Sequence, residues 1–290
     1  MRKLWRYALV GFAGIASLIT VLTATAQANA PTSASSPFEL VLIDLTDEKQ
    51  LGGFPVDRAL IAKAVTILKD AGARGVVLKF FYDQTGKSPA SDQALVEAIG
   101  SIKTLLQARI DEAEVVANPL PARFFPGVVS GNFKVSLTGT SGWIPLAPFA
   151  AAAYDIGFVD ISSPDNLPMI ESYQGKPVKS LALAALELAT GEQAKINSGK
   201  QIIFGKQSIT LTADNQVALN LGSVALTDYV PFSALLEGKV GKAQFRDKVV
   251  VIAYDGSKMH FLTTKAGTIK AHRLFYLGLL ETYRQLNSPK

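Results

Sequence analysis

Apolar residues along this chain follow two rhythms. Continuous runs at residues 38–45 (FELVLIDL), 74–83 (RGVVLKFFYD) and 246–255 (RDKVVVIAYD) have the near-unbroken hydrophobicity of strands covered on both faces. Between the first two, residues 57–70 place Leu60, Ile61, Ala64, Val65 and Leu68 on one helical face, with Asp57 as N-cap and Gly72 just past the end. Residues 91–99 read as a second helix, capped by Ser91 with Asp92 in its first turn. Strand, helix, strand, helix is the order of an α/β protein, and the first β-α-β unit implies a parallel sheet there.

From about residue 128 the pattern loosens. A strand-like VVSGNFKVSL, a short helix at 149–154 and a strand at GFVDIS lead to a Pro/Asp/Asn turn at 163–168, whose flanks predict a hairpin. Residues 180–190 (SLALAALELAT) are almost wholly Leu and Ala and close on Gly191, so a buried helix is expected. Residues 201–221 alternate strand patterns with turns at Gly205 and at Asp214–Asn215, which predicts antiparallel pairing. A short helix at 231–236 precedes the 246–255 strand, and an amphipathic helix at 270–286 carries Leu274, Leu277, Leu280 and Tyr283 on one stripe. No linker interrupts residues 38–286. The expected fold is therefore one α/β domain, a mixed sheet with a parallel N-terminal half, antiparallel additions and helices on both faces.

The N-terminus changes how the composition reads. The chain has 290 residues, 48% hydrophobic and only 18% charged, with a net charge of +5 and a mean hydropathy of +0.23. Arg2, Lys3 and Arg6 precede an uncharged apolar run that ends in AQANA, the layout of an export signal cleaved after Ala28, or after Ala30. An uncleaved membrane anchor is the alternative, since residues 7–26 are just long enough to span. Residues 29–37 (NAPTSASSP) then form a polar linker. Removing three of the 29 basic residues with the signal leaves 26 against 24 acidic ones, a net of +2. With no like-charge block and no basic patch interleaved with aromatics, a nucleic-acid partner is excluded. Cysteine is absent, which removes disulfides, thiolate metal sites and a thiol nucleophile.

Catalytic motifs are missing. The phosphate-loop pattern fails because Phe81 stands where its leading Gly is needed before Gly86, Lys87 and Ser88. No G-x-G-x-x-G follows a strand, no S-x-x-K occurs, and Gly139, Ser141 and Gly142 miss the nucleophile-elbow spacing. His260 and His272 are the only histidines and lack H-E-x-x-H spacing. No cofactor is implied.

One constellation carries potential chemistry. Parallel strands end on a common edge, so Asp44 and Asp47 after the first strand should lie near Lys79, Asp83 and Asp92, with Arg58 close by. Open α/β sheets bind ligands at that edge. The six residues can line a polar pocket in which Arg58 or Lys79 meets an anionic group; alternatively they are helix caps and loop charges, with Lys79 paired to one Asp.

At these residues the chain resembles the second family of CHASE domains, extracellular sensors associated with bacterial cyclases and histidine kinases. The family's opening pattern is matched by Ile43 and Asp44; by Gly52 or Gly53 with Phe54, Pro55 and Arg58; by Ala71, Gly72 and Ala73; by the strand end at 79–82; and by Asp92, Leu95 and Ala98. Ile156, Gly157 and Phe158, then residues 176–188, 246–253 and 270–272, resemble its later landmarks. The resemblance spans about 38–286. Two departures stand out: Lys79 replaces a usual Asp, and DNLPMI at 165–170 lacks the family's turn Gly and Arg.

The resemblance implies an exported sensory or ligand-binding module. Members typically continue into membrane helices and a cytoplasmic output domain, whereas this sequence stops at Lys290, so the expected partners are a small molecule or a membrane-bound signalling protein. The alternatives are a periplasmic hydrolase using Asp44, Asp83 and a divalent cation, and a structural partner subunit.

Overall fold

The computed structural model describes residues 36–110, 120–223 and 228–288. The export signal read at 1–28 lies outside the described residues, as does the linker before Ser36. The chain from Ser36 onward forms one compact unit.

Its opening follows the apolar pattern: β1 (Phe38–Ile43), α1 (Leu45–Gln50), α2 (Arg58–Asp70), β2 (Gly75–Lys79), α3 (Pro89–Ser101) and β3 (Thr104–Ile110). Later helices are α4 (Ala147–Ala152), α5 (Leu181–Thr190), α6 (Phe232–Leu236) and α7 (Ala271–Asn287). Helix α3 begins earlier than the Ser91 cap would place it. Ser88 Oγ accepts from Ser91 N at 3.2 Å and Pro89 occupies the first turn, where its fixed φ and missing N–H suit a helix start.

In the central sheet β1 and β2 are parallel but do not touch. The Val249–Tyr254 strand sits between them, in parallel register with both. Starting from one edge the order is Val230–Pro231, β1, Val249–Tyr254, β2, β3. Beyond β3, Asp155–Phe158 pairs in parallel and Gly142–Trp143 antiparallel. Because successive residues of a strand face opposite sides, the buried strands divide into two cores. Val41, Ile43, Val76, Leu78, Leu106, Val250 and Ile252 pack with α2, α3, α4 and α6. Leu40, Leu42, Val77, Leu105, Val249, Val251 and Ala253 face α5 and α7.

The second half supplies the antiparallel additions, with pairings the turn chemistry did not specify. The hairpin expected around 163–168 closes instead at Gln174–Gly175, both at positive φ, and joins Ile170–Tyr173 to Lys176–Lys179. The expected upstream flank, Asp155–Phe158, was captured by the central sheet. Gln201–Phe204 and Gln207–Thr210 form the hairpin predicted at Gly205. Past the Asp214–Asn215 turn, however, Gln216–Ala218 pairs with Asn166–Pro168.

One glycine sets how closely α5 meets the sheet. A Cβ on Gly157 would lie 2.3 Å from Leu181 Cα and 2.4 Å from Leu181 N, closer than atoms can approach. The first residue of α5 therefore rests on the bare backbone of the Asp155–Phe158 strand. Gly157→Ala is expected to lower stability by about 2–3 kcal/mol or more, since neither backbone can yield cheaply. Thermal unfolding of the variant against the parent checks this, and an unchanged Tm would contradict it.

Candidate functional site

The six sequence-identified residues separate. Asp44 caps α1, its Oδ1 accepting from Thr46 N at 2.7 Å and Asp47 N at 2.9 Å while its Oδ2 accepts from the Tyr229 hydroxyl at 3.0 Å. Asp47 is buried and accepts from Phe232 N at 2.8 Å and Ser233 N at 3.2 Å, where it meets the positive end of α6. Arg58 pairs with Asp92 at 2.8 Å, donates to Gln84 O at 2.7 Å, and lies over the Tyr82 and Phe149 rings. Asp92 also accepts from Gly86 N at 2.8 Å. Asp83 lies in the loop after β2. These five are not among the lining of the cavity described next; Lys79 alone is.

A cavity of about 540 Å³ opens at the carboxyl ends of β2, β3 and Asp155–Phe158, on the face covered by α5 and α7. Lys79 shares that face with Val77. The β2–β3 register pairs Leu78 with Leu106, so one step further Lys79 and Gln107 stand side by side. Their row across the sheet is flanked by two small residues, Ala253 beside Lys79 and Gly157 beside Gln107. Adjacent strands lie about 4.8 Å apart, so the ammonium and the carboxamide can reach one ligand group.

Both polar groups are buried, Lys79 at 5% exposure and Gln107 at 2%. Among the described residues Gln107 Oε1 has no hydrogen-bond partner. Lys79 has neither an ion pair nor a hydrogen bond among the described residues; its Nζ lies 4.2 Å from the centre of the Phe275 ring, a contact with the negative face of the ring. Burial pushes the Lys79 pKa down to about 7, opposed by the charge of Asp160. The pair that Lys79 was weighed against in the sequence does not form.

Asp160 accepts from Ile110 N at 2.7 Å and lies 3.7 Å from Arg109 Nε. Burial raises its pKa to about 6 against the pull of those two donors. Glu171 is fully buried, and desolvation together with the Asp160 charge pushes its pKa well above the usual carboxylate range, so it is neutral. His272 Nδ1 is 2.9 Å from Tyr254 O; a carbonyl only accepts, so Nδ1 carries the proton and Nε2 is left as the acceptor. Burial and then the Lys79 charge hold His272 well below its usual pKa.

The remaining walls are mostly apolar, with Phe158, Leu262, Leu274 and Phe275 among them and Asn166, Ser180 and His260 as further polar members. Such a cavity, lined mostly by hydrophobic groups with a few convergent polar ones, is the common form of a small-molecule site. Among the described residues no cluster of three or more His, Asp or Glu is placed to hold a metal ion, and no helix is long and apolar enough to cross a membrane. Sequence reasoning missed Gln107, Arg109, Asp160 and His272 as members of the site. Gln107 interrupts the apolar run of β3, and that break was its one available signal.

An ammonium buried without a counter-charge destabilises the fold. The folded pKa of about 7 lies below the unfolded value of 10.5, so the unfolded chain binds more protons between those limits. The penalty is complete below pH 7 and fades as pH rises toward 10.5. Lys79→Met should therefore stabilise the protein below pH 7 by about 2–4 kcal/mol, after allowing for the lost contact with Phe275, and the gain should shrink at alkaline pH. Chemical denaturation at pH 6 and pH 10 measures both; a loss of stability at pH 6 would contradict a buried, unpaired charge.

The sequence profile of the CHASE2 domain matches residues 15–267. No curated protein and no solved structure matches the chain. The chain belongs to the CHASE2 domain family, whose members are extracellular sensory domains.

Proposed function

We propose that this chain is an exported sensory module that reports a small molecule bound in the cavity at the carboxyl edge of its sheet. One observation carries the reading: Lys79 and Gln107, neighbours in register, are both buried, and among the described residues Gln107 Oε1 has no hydrogen-bond partner and the Lys79 ammonium has no ion pair or hydrogen bond. An unsatisfied buried polar group costs about 1–3 kcal/mol, and a charged one more. A fold that only needed stability would place apolar side chains at the two positions.

The surroundings suit signalling. The cavity lies between α5, which is pinned to the sheet at Gly157, and the first turn of α7, whose Ala271, His272, Leu274 and Phe275 line it. A ligand that draws these helix starts together biases their spacing, and a membrane-bound signalling protein is the partner that reads the change. Export by the N-terminal signal puts the module where such a ligand and partner meet.

A broad panel of metabolites spanning anions, cations and neutral compounds tests the reading by thermal unfolding. At least one chemical class should raise the Tm of the parent chain. Ile161 lies at the rim, 38% exposed, so Ile161→Trp should block entry without disturbing the core and abolish that rise. If no class stabilises the parent, or if the rise survives Ile161→Trp, the cavity is not the sensor site.

A further inference from the structure

The charges that the described residues bring to the cavity do not balance. Arg109 and Asp160 stand 3.7 Å apart and offset one another, His272 is neutral, and His260 lies at the exposed rim. Lys79 remains, with no countercharge in contact among the described residues. A ligand bearing one negative charge neutralises the site, a neutral ligand leaves the ammonium uncompensated, and a cation adds to the imbalance.

Backbone dipoles point the same way. α5 and α7, of ten and seventeen residues, both present their first turns to the cavity through Ser180, Ala182, Ala271 and His272. The α7 start has no side-chain cap. Helix N-termini carry about half a positive charge each, which favours an anion. On their own they would be ordinary helix starts; here they converge on a buried ammonium that lacks a partner.

Resting on the proposed sensor site, we propose that the ligand is a small organic monocarboxylate, its anionic head held by Lys79 and the Gln107 carboxamide and its apolar body packed against Phe158, Leu262 and Leu274. The carboxamide presents either end to the head, since it can turn over. Phe275 shields the ammonium on one side and keeps water from competing. Inorganic phosphate or sulfate offers the charge but no apolar body, and would leave the hydrophobic walls in contact with water.

Binding then couples to protonation. Below pH 7 Lys79 is charged in the free site; above it, the carboxylate must bind together with a proton, which it stabilises on Nζ. The other groups facing the ammonium are Asp160, whose charge works in the same direction as the ligand's, His272, already neutral, and the uncharged Phe275 ring.

Isothermal titration of the full chain with straight-chain and aromatic monocarboxylates, their primary amides, and inorganic phosphate provides the test, at pH 6.5 and pH 8.5. The acids should bind at least about tenfold more tightly than the amides and than phosphate. Their affinity should fall toward tenfold per pH unit above pH 7, with about one proton taken up per ligand at pH 8.5. Lys79→Met should reduce acid binding at least about tenfold while the variant remains folded and more stable. Amides binding as well as acids, phosphate binding as well as acids, or Lys79→Met binding unimpaired would each overturn the carboxylate assignment. If neutral or cationic members of the wider panel stabilise the chain while every carboxylate fails, the sensor reading stands and this inference falls. Silence across all classes overturns both.

Discussion

The insertion of the Val249–Tyr254 strand between β1 and β2 is the constraint on which the rest of the structure depends. It is parallel to both neighbours, it is separated from them by most of the chain, and every side chain on it is buried. Until it is in place β1 and β2 have no common partner, and neither core is closed. The same insertion delivers α7 to the α5 face of the sheet: the strand ends at Tyr254, the Phe261–Thr264/Gly267–Lys270 hairpin turns the chain, and α7 starts at the cavity. Ala253 lies beside Lys79, so a small residue of the inserted strand leaves room next to the ammonium. The site is thus a product of long-range assembly and not of a local motif.

Two kinds of buried charge coexist in this fold. Lys179, in contact with Asp155 and 3.1 Å from Glu187, and Asp255, 2.8 Å from Arg273, are paired and hydrogen-bonded, which is how proteins normally tolerate charge in their interior. Lys79 is the other kind. Its side chain is as buried as theirs, and among the described residues its ammonium meets only the Phe275 ring face. An arrangement that weakens the protein without local compensation is the sort of feature that function retains, because a ligand restores what the fold withholds.

Much of the fold was legible from periodicity, and the site was not. The apolar runs at 38–45, 74–83 and 246–255 became central parallel strands, and the 180–190 and 270–286 patterns became α5 and α7, because two-sided burial and amphipathic stripes are properties of contiguous residues. Sheet order was hidden, since apolar runs alike in composition do not say which will lie side by side. The 163–168 turn misled for the same reason: Asp155–Phe158 gained more from β3 than from a hairpin. Among the candidate residues, Asp44, Asp47, Arg58 and Asp92 were found because Asp and Arg announce themselves near strand ends, yet they are engaged by caps and a salt bridge. Gln107 and Asp160 belong to elements whose neighbours only the tertiary structure assigns.

The central claim is that Lys79 carries an ammonium with no partner among the described residues, held in a mostly apolar cavity. Titration of the lysine Cε resonances by carbon-13 NMR, with Lys79 assigned by its disappearance in Lys79→Met, measures it directly. The expected result is a midpoint near pH 7, rising when a bound monocarboxylate shares the cavity. A midpoint at the ordinary value of 10.5 would mean that the ammonium is solvated or paired, and would contradict the account.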